Sequence, residues 1–216
     1  MTNRIYESTQ RNIQIGRRCE ASGCDAPVYT VGSMCHSHKL KNERYGHPKG
    51  KLVKAHEIRP YVHLATTFIQ DNADNTTLQE AVNWCVAFMA LASNKADKMR
   101  KPKGADHAWL WVDRLRRDGI SGSELLAMVL AFYVLAEDRP SRFHSDRHFD
   151  HCLCRRVVRM AKATTTLNDY LSVLGIKYLA MTIRKALGVF AMSASLKIIE
   201  QIETERTFNE TRIGKI

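Results

Sequence analysis

Three cysteines and a histidine near the beginning of the chain have the types and the spacing of metal ligands. Cys19 and Cys24 form one pair, and Cys35 and His38 form a second pair after ten intervening residues. Two ligand pairs divided by a span that can form a hairpin are typical of a chain that wraps one tetrahedral zinc ion. Thiolate and imidazole are borderline-soft donors, which favour zinc over magnesium or calcium. His36 is a rival for the fourth ligand, and the spacing favours His38.

The elements that must position these ligands are short. Gly23 is expected to let the backbone turn between the first two cysteines, and 28–31 predicts a short strand. A helix is predicted over 35–44, which places two ligands three residues apart on one helical face. Gly46 and Pro48 are predicted to end this helix. Because the segment is too short and too polar to bury a core, a bound metal is expected to order it.

The stretch Cys19–Pro48 resembles the small zinc finger of many bacteriophage proteins. The matching residues are Gly23-Cys24, Gly32-x-x-Cys35-x-x-His38 and Arg44-Tyr45-Gly46-x-Pro48. That finger often stands at the N-terminus of phage HNH endonucleases and of short phage DNA-binding proteins. The resemblance implies that Cys19, Cys24, Cys35 and His38 are the zinc ligands, and it covers about thirty residues. In the family the third cysteine directly follows Gly-Leu, whereas here it follows Gly32-Ser33-Met34. The His-Asn-His constellation of the HNH nuclease core is not found downstream.

The charge of the chain indicates an acidic partner. The formal net charge is +11, and residues 1–60 hold 11 Lys and Arg against five Asp and Glu. Nucleic acid is the default partner of such a surface, with DNA favoured over RNA, and the alternative is a solvated face that keeps the protein soluble. Basic residues around the finger are therefore predicted to contact phosphates. They are Arg17, Arg18, Lys39, Lys41, Arg44, Lys49, Lys51 and Lys54.

The whole sequence predicts a mainly α protein, with an N-terminal zinc knuckle (a short hairpin plus a helix) followed by an all-helical domain. We expect a flexible arm over 1–16, the zinc finger and a basic linker over 17–58, and the helical domain over 59–216. Helices are predicted over 61–70, 77–92, 105–117 and 125–136, with the last of these central because it is apolar on every side.

Glycines are expected to divide the last third of the chain. Gly175 and Gly188 would separate about three helices, and the final one is predicted over 189–205. Its apolar residues could pack on the core or form a contact in a homo-oligomer. The stretch 167–187, with a turn at Gly175, is also a candidate helix-turn-helix.

The cysteines and the hydropathy pattern bear on the compartment. Six cysteines with metal-like spacing and no secretory signal favour a reducing cytoplasm, which would be that of the bacterial host if the chain is phage-derived. No apolar run is expected to reach the length of a bilayer span, so no membrane partner is predicted.

A second group of chemistry-bearing residues lies in 143–154. His144, His148 and His151 stand at helical spacing, so three imidazoles could share one face and bind a second metal. The alternative is a helix start with exposed histidines and one buried cysteine. Both interpretations stay open from the sequence.

No catalytic constellation stands out, and the sequence favours a non-catalytic protein. The first hypothesis is a phage-derived zinc-finger nucleic-acid-binding protein with a regulatory role, whose helical domain serves oligomerisation or contact with a host protein. The second is a metal-dependent nuclease that uses the His144–His151 cluster. The third is a non-catalytic adaptor that inhibits a host protein, whose interaction would lack salt dependence.

Overall fold

A computed structural model describes residues 7, 10–11, 15–29, 32–98, 104–162 and 172–213, with side chains described as far as 204. Within this part of the chain the protein is mainly α, as predicted, and no β-strand forms. The helices are α1 His36–Tyr45, α2 Ala55–Asp71, α3 Thr76–Ala96, α4 Asp106–Arg117, α5 Gly122–Asp138, α6 Asp146–Val158 and α7 Val173–Ile213, with a 3₁₀ turn at Pro140–Arg142.

The chain divides into two compact units, which we name by their content. The finger unit comprises Met1–Leu52 with Phe143–Phe149, and the helical unit comprises Val53–Arg142 with Asp150–Ile216. The domain boundaries expected from the sequence stay a prediction.

The core of the helical unit is organised around α5. Eleven of its 17 residues are buried, including Leu126, Leu130 and Phe132, none of which is exposed to solvent. This confirms the central position predicted for the apolar run. The predicted capping box at its start also forms, because Ser121 Oγ accepts from the Glu124 N–H (3.2 Å) and Glu124 Oε2 accepts from the Ser121 N–H (2.8 Å).

The first helix of this unit begins earlier than the sequence suggested. We predicted a start at Tyr61, whereas α2 begins at Ala55 and continues through Pro60. A proline near a helix start removes only one backbone hydrogen bond. The extra turn also buries Ile58, which is 1 % exposed, and lets Glu57 pair with Arg142 (Nη2 to Oε2, 3.1 Å).

From Val173 to Ile213 the chain forms one helix, although breaks were predicted within this range at Gly175 and Gly188. Both Gly175 and Gly188 lie inside α7, so the predicted helix breaks and the helix-turn-helix turn at Gly175 are wrong. Buried residues on either side of Gly188, among them Leu187 before it and Ala191 after it, hold the helix against the unit and offset the low helix propensity of glycine. The residues 163–171 lie outside the described part.

Because α7 is continuous, it is long and apolar enough over Val173–Thr204 to cross a membrane by length and composition alone. This differs from the sequence expectation that no apolar stretch reaches bilayer length. Core helices of soluble proteins meet the same criterion, and one face of α7 is buried in the helical unit.

In the finger unit, the hairpin predicted before the helix is reduced to a single backbone pairing. An isolated antiparallel bridge joins Arg18 to Pro27, and the described part of the predicted strand over 28–31 forms no ladder. The predicted helix is present as α1, and it ends at Gly46 in a left-handed conformation (φ 76°), as expected.

Candidate metal centre

The first ligand pair lies in a closed loop. The N–H of Cys19 donates to Ala26 O (3.0 Å) and the N–H of Val28 donates to Arg17 O (2.9 Å), which closes the loop from both ends. Inside it, a turn is completed by the Cys24 N–H donating to Ala21 O (3.0 Å). Gly23 takes a positive φ of 72° at this turn, as the sequence predicted, and the turn brings both sulfur atoms to one side.

The second ligand pair is presented by the start of α1. Cys35 is the N-cap residue of the helix, and His38 lies in its first turn. Two hydrogen bonds donated by backbone N–H groups connect this segment to the loop. The Glu20 N–H donates to Ser33 O (2.9 Å), and the Cys35 N–H donates to the sulfur of Cys19 (3.3 Å).

The four ligand atoms converge with the dimensions of a tetrahedral site. They all lie within 4.8 Å of one another, and among the described residues no other group of three or more such side chains converges in this way. The Sγ atoms of Cys24 and Cys35 are 4.0 Å apart, and His38 Nδ1 is 3.4 Å from the Sγ atoms of both Cys19 and Cys35. Zinc–ligand bond lengths in a regular tetrahedron require about 3.8 Å between sulfurs and about 3.6 Å between sulfur and nitrogen. The donor set therefore fits one metal ion.

The geometry also separates the two candidate histidines. His38 supplies Nδ1 to the cluster, whereas His36 is exposed and has no ligand atom in it. This is the assignment that the spacing favoured.

The thiols of the cluster differ in their protonation. Burial alone would raise the pKa of Cys19, but the backbone N–H groups of Cys35 and Ala21, together with His38, outweigh burial and lower it to about 6. At Cys24 the Ala26 N–H lowers the pKa, and burial with the neighbouring thiols more than reverses this, so the net shift is upward. Two thiolates this close repel each other, which disfavours ionisation of both thiols. A bound divalent cation offsets this repulsion, and a coordinated thiol is deprotonated.

Little besides the ligands holds this region together. The buried cluster around them consists of Cys19, Ala21, Val28 and Cys35, with Cys24, Ala26 and Met34 partly buried against it. Val28 is the largest fully buried apolar side chain of the group. Such a small cluster contributes little hydrophobic free energy, which is the situation in which a metal supplies the folding energy.

All eight basic residues that the sequence singled out are exposed. Arg17 and Arg18 also have local structural contacts. The guanidinium of Arg17 pairs with Glu20 Oε1 (3.0 Å), and Arg18 donates to the backbone oxygen of Asp25 (2.8 Å). Lys39, Lys41 and Arg44 project from α1, and Lys49 and Lys51 follow it in the finger unit. Lys54 belongs to the helical unit, where it is the N-cap residue of α2.

The histidine-rich segment agrees with one sequence interpretation in part, because α6 begins within it at Asp146. His144 is exposed, but His148 and His151 are buried, as are both Cys152 and Cys154. The expectation of exposed histidines with one buried cysteine therefore holds for His144 and is wrong for His148 and His151, and two cysteines are buried where one was expected.

Backbone groups engage both ring nitrogens of His148. Its Nδ1 accepts from the His144 N–H (3.3 Å), so its Nε2 carries the proton and donates to Lys51 O (3.1 Å). Neither nitrogen faces a shared metal position with His144 or His151. The structure does not bring the three imidazoles together as ligands.

The sequence did not predict that His47 contacts this segment. His47 stacks on His144 with ring centroids 4.7 Å apart, and His144 stacks on His148 at 5.4 Å. Burial lowers the pKa of His47, and His144 and Lys49 lower it further. Nothing in the local sequence identifies His47, because its partners lie about a hundred residues away along the chain.

No known protein family, curated protein or solved structure matches this chain. The candidate site therefore stands on its own geometry: three cysteines and a histidine close enough to bind a metal ion, in a mainly α protein.

Proposed function

We propose that this chain is a phage-type zinc-finger protein that binds nucleic acid, with DNA preferred over RNA. In this proposal one zinc ion orders the finger, and basic residues on and after α1 contact phosphates. The observation that carries the proposal is the convergence of Cys19, Cys24, Cys35 and His38 at the base of a helix with exposed cations.

The donor set supports zinc as the metal. Three sulfurs and one imidazole nitrogen match the Cys₃His set of structural zinc sites, while magnesium and calcium prefer oxygen ligands. Four protein ligands also leave no open position for water, so the metal has a structural role and not a catalytic one.

The charge of α1 supports phosphate contact. Lys41 and Arg44 stand three residues apart and therefore share a face of the helix, whereas Lys39 lies on the other side near Glu43. Lys49 and Lys51 add two further exposed cations directly after the helix. Cations on one short element that is held by a metal keep a fixed geometry, which suits contacts to regularly spaced phosphates.

The nuclease alternative receives no support from the geometry, because a site built on His148 would need a ring nitrogen that a backbone group already occupies. The helical unit is assigned to oligomerisation or to contact with a host protein. Host cytoplasm as the location belongs to the same proposal.

A salt titration tests nucleic-acid binding. Duplex DNA and single-stranded RNA are titrated with the wild type and with the double variant Lys41→Ala/Arg44→Ala over a range of salt concentrations. If both side chains contact phosphates, the slope of log K against log salt becomes shallower by about two units in the variant. DNA should bind more tightly than RNA at each salt concentration.

The matched control is Lys177→Ala/Lys197→Ala, which removes two exposed cations from α7 in the helical unit. This variant should keep the wild-type slope. An equal loss of slope in both variants would show that binding depends on overall charge and not on the finger. Absence of binding by the wild type at about 0.15 M salt would reject the function and favour the adaptor hypothesis.

A further inference from the structure

The helix α7 has apolar residues on two opposite faces. One face packs into the helical unit, and its buried residues are Ile176, Leu179, Ala180, Ile183, Leu187, Ala191, Ala194 and Ile198. The opposite face exposes large apolar side chains to solvent. Val189 is 87 % exposed, Leu196 is 57 % exposed and Met192 is 54 % exposed. Monomeric soluble proteins rarely expose a continuous apolar stripe of this kind without a partner for it.

The exposed stripe has a regular spacing and a charge at each end. Its residues follow one another at intervals of four, three, four, three and four, and all are exposed except the half-buried Ile199: Lys185, Val189, Met192, Leu196, Ile199 and Glu203. Alternating intervals of three and four place residues along the seam of a two-helix coiled coil. The four inner positions are apolar, the N-terminal position is a cation, and the C-terminal position is an anion.

We propose that this stripe pairs with the same stripe of a second copy of the chain, in antiparallel orientation. Each residue then faces the one at the mirrored position of the series. Lys185 faces Glu203 of the partner subunit. Val189 faces Ile199 of the partner subunit, and Met192 faces Leu196 of the partner subunit. A two-fold axis makes every one of these pairs occur twice, which is the property of a self-complementary surface.

The charges select the antiparallel orientation. In a parallel pair, Lys185 would face its own copy, and so would Glu203, which places like charges in contact at both ends of the seam. In the antiparallel pair both ends carry opposite charges. Facing charges of opposite sign fix orientation and register in coiled coils.

The length of α7 agrees with the register that the charges select. The stripe is symmetric about residue 194, and α7 runs from Val173 to Ile213, with its midpoint at 193. Two copies in this register therefore overlap along almost the whole helix, which is about 60 Å long. Small exposed residues beside the stripe, Ala186 and Ser193, allow the two helices to approach closely.

The same residues disfavour a lipid surface as the occupant. The exposed stripe carries a cation at its N-terminal end and an acidic residue at its C-terminal end, and anionic lipid repels acidic side chains. The opposite face is already packed in the core of the helical unit, so the helix cannot cross a bilayer without leaving that core.

The test is a charge exchange measured by analytical ultracentrifugation of the full-length protein without nucleic acid. The wild type is expected to form a dimer. Lys185→Glu alone and Glu203→Lys alone each place like charges in contact, and each should weaken the dimer by about tenfold or more. The double variant Lys185→Glu/Glu203→Lys restores opposite charges and should return the dimer constant to within about threefold of the wild-type value.

Two controls complete the test. Val189→Lys should abolish the dimer, because it buries a charge in the centre of the seam, while Lys177→Glu lies outside the seam and should have no effect. A wild type that is monomeric at all concentrations would overturn the proposal. So would a dimer that Val189→Lys leaves unchanged, or a monomer that floats with vesicles of phosphatidylcholine and phosphatidylglycerol. Because nucleic acid is absent, the result does not depend on the function proposed for the finger.

Discussion

The six cysteines of this chain fall into two classes by position, three in the finger unit and three buried in the helical unit. Hydrogen bonds within the finger hold the pKa of Cys19 near 6 against the effect of burial. Outside the finger, burial raises the pKa of Cys85 to about 12 and that of Cys152 to about 11. Thiols of the second class stay protonated and behave as small apolar side chains. Within the first class the pKa of Cys19 is lowered and that of Cys24 is raised, so convergence with His38, and not a shared pKa shift, identifies the candidate metal ligands.

Spacing was sufficient to predict which four side chains converge, because each pair is local. Cys19 with Cys24, and Cys35 with His38, are separated by a few residues, and a single turn or helix start places each pair. The structural role of His148 could not be predicted from the sequence in the same way. Its partners are backbone atoms of His144 and Lys51, and the second of these is distant in sequence and has no side-chain signature.

A glycine next to His148 provides a prediction at the residue scale. A Cβ atom added to Gly50 would lie 2.9 Å from the His148 ring and 3.1 Å from His47 O. The ring is buried and hydrogen-bonded through both nitrogens, so it cannot move away without losing a contact. Gly50→Ala should therefore lower the free energy of unfolding by about 1–3 kcal/mol, measured by denaturant titration.

The control for this substitution is the neighbouring Lys49→Ala, which changes an exposed side chain. It should alter the free energy of unfolding by less than about 0.5 kcal/mol. Equal stability of the Gly50→Ala protein and the wild type would contradict the packing described around His148.

At the scale of elements, the sequence predicted which segments are helical better than where they begin and end. The apolar run of α5 and its capping box were sufficient to predict this helix, because the hydrophobic pattern and the cap indicate the same element. The start of α2 and the continuity of α7 were missed. In both cases tertiary contacts determine the extent of the helix. The pair of Glu57 with Arg142 stabilises the early start of α2, and packing on both sides of Gly188 keeps α7 continuous.

Gly188 gives a prediction for α7. A Cβ atom at this position would meet its nearest neighbour, Tyr133 Oη, at 3.5 Å, which is an ordinary contact. Gly188→Ala should therefore raise the free energy of unfolding by about 0.5–1 kcal/mol, because alanine loses less backbone entropy than glycine in a helix. Thermal and denaturant unfolding followed by circular dichroism would measure the change.

The matched control is Gly122→Ala in α5. There the added Cβ atom would lie 2.6 Å from Val86 Cγ2 and 2.9 Å from Val82 O, a backbone atom. This substitution should destabilise the protein by about 1–3 kcal/mol although it is chemically identical. A loss of stability in Gly188→Ala would show that the glycine is needed for a kink or for close packing in α7.

At the scale of the whole molecule, the two units differ in the interactions that stabilise each of them internally. The helical unit has an extensive apolar core centred on α5, whereas the part of the finger unit around the four candidate ligands buries only a few small side chains. Removal of the metal is therefore expected to unfold the finger and to leave the helical unit folded. Composition alone indicated this contrast, because residues around the finger are polar and basic and the later segments are rich in apolar residues.

The central claim, that Cys19, Cys24, Cys35 and His38 hold one zinc ion, is tested most directly by the metal content of the purified protein. The wild type, Cys35→Ala and Cys85→Ala are measured by elemental mass spectrometry, with circular dichroism on the same samples. Both variants remove a buried thiol, but Cys85 lies in α3, outside the cluster.

We expect about one zinc per chain in the wild type and in Cys85→Ala, and a loss of bound zinc in Cys35→Ala while the helical signal is largely kept. A wild type without bound metal, or a Cys35→Ala variant with the same zinc content as the wild type, would contradict the account.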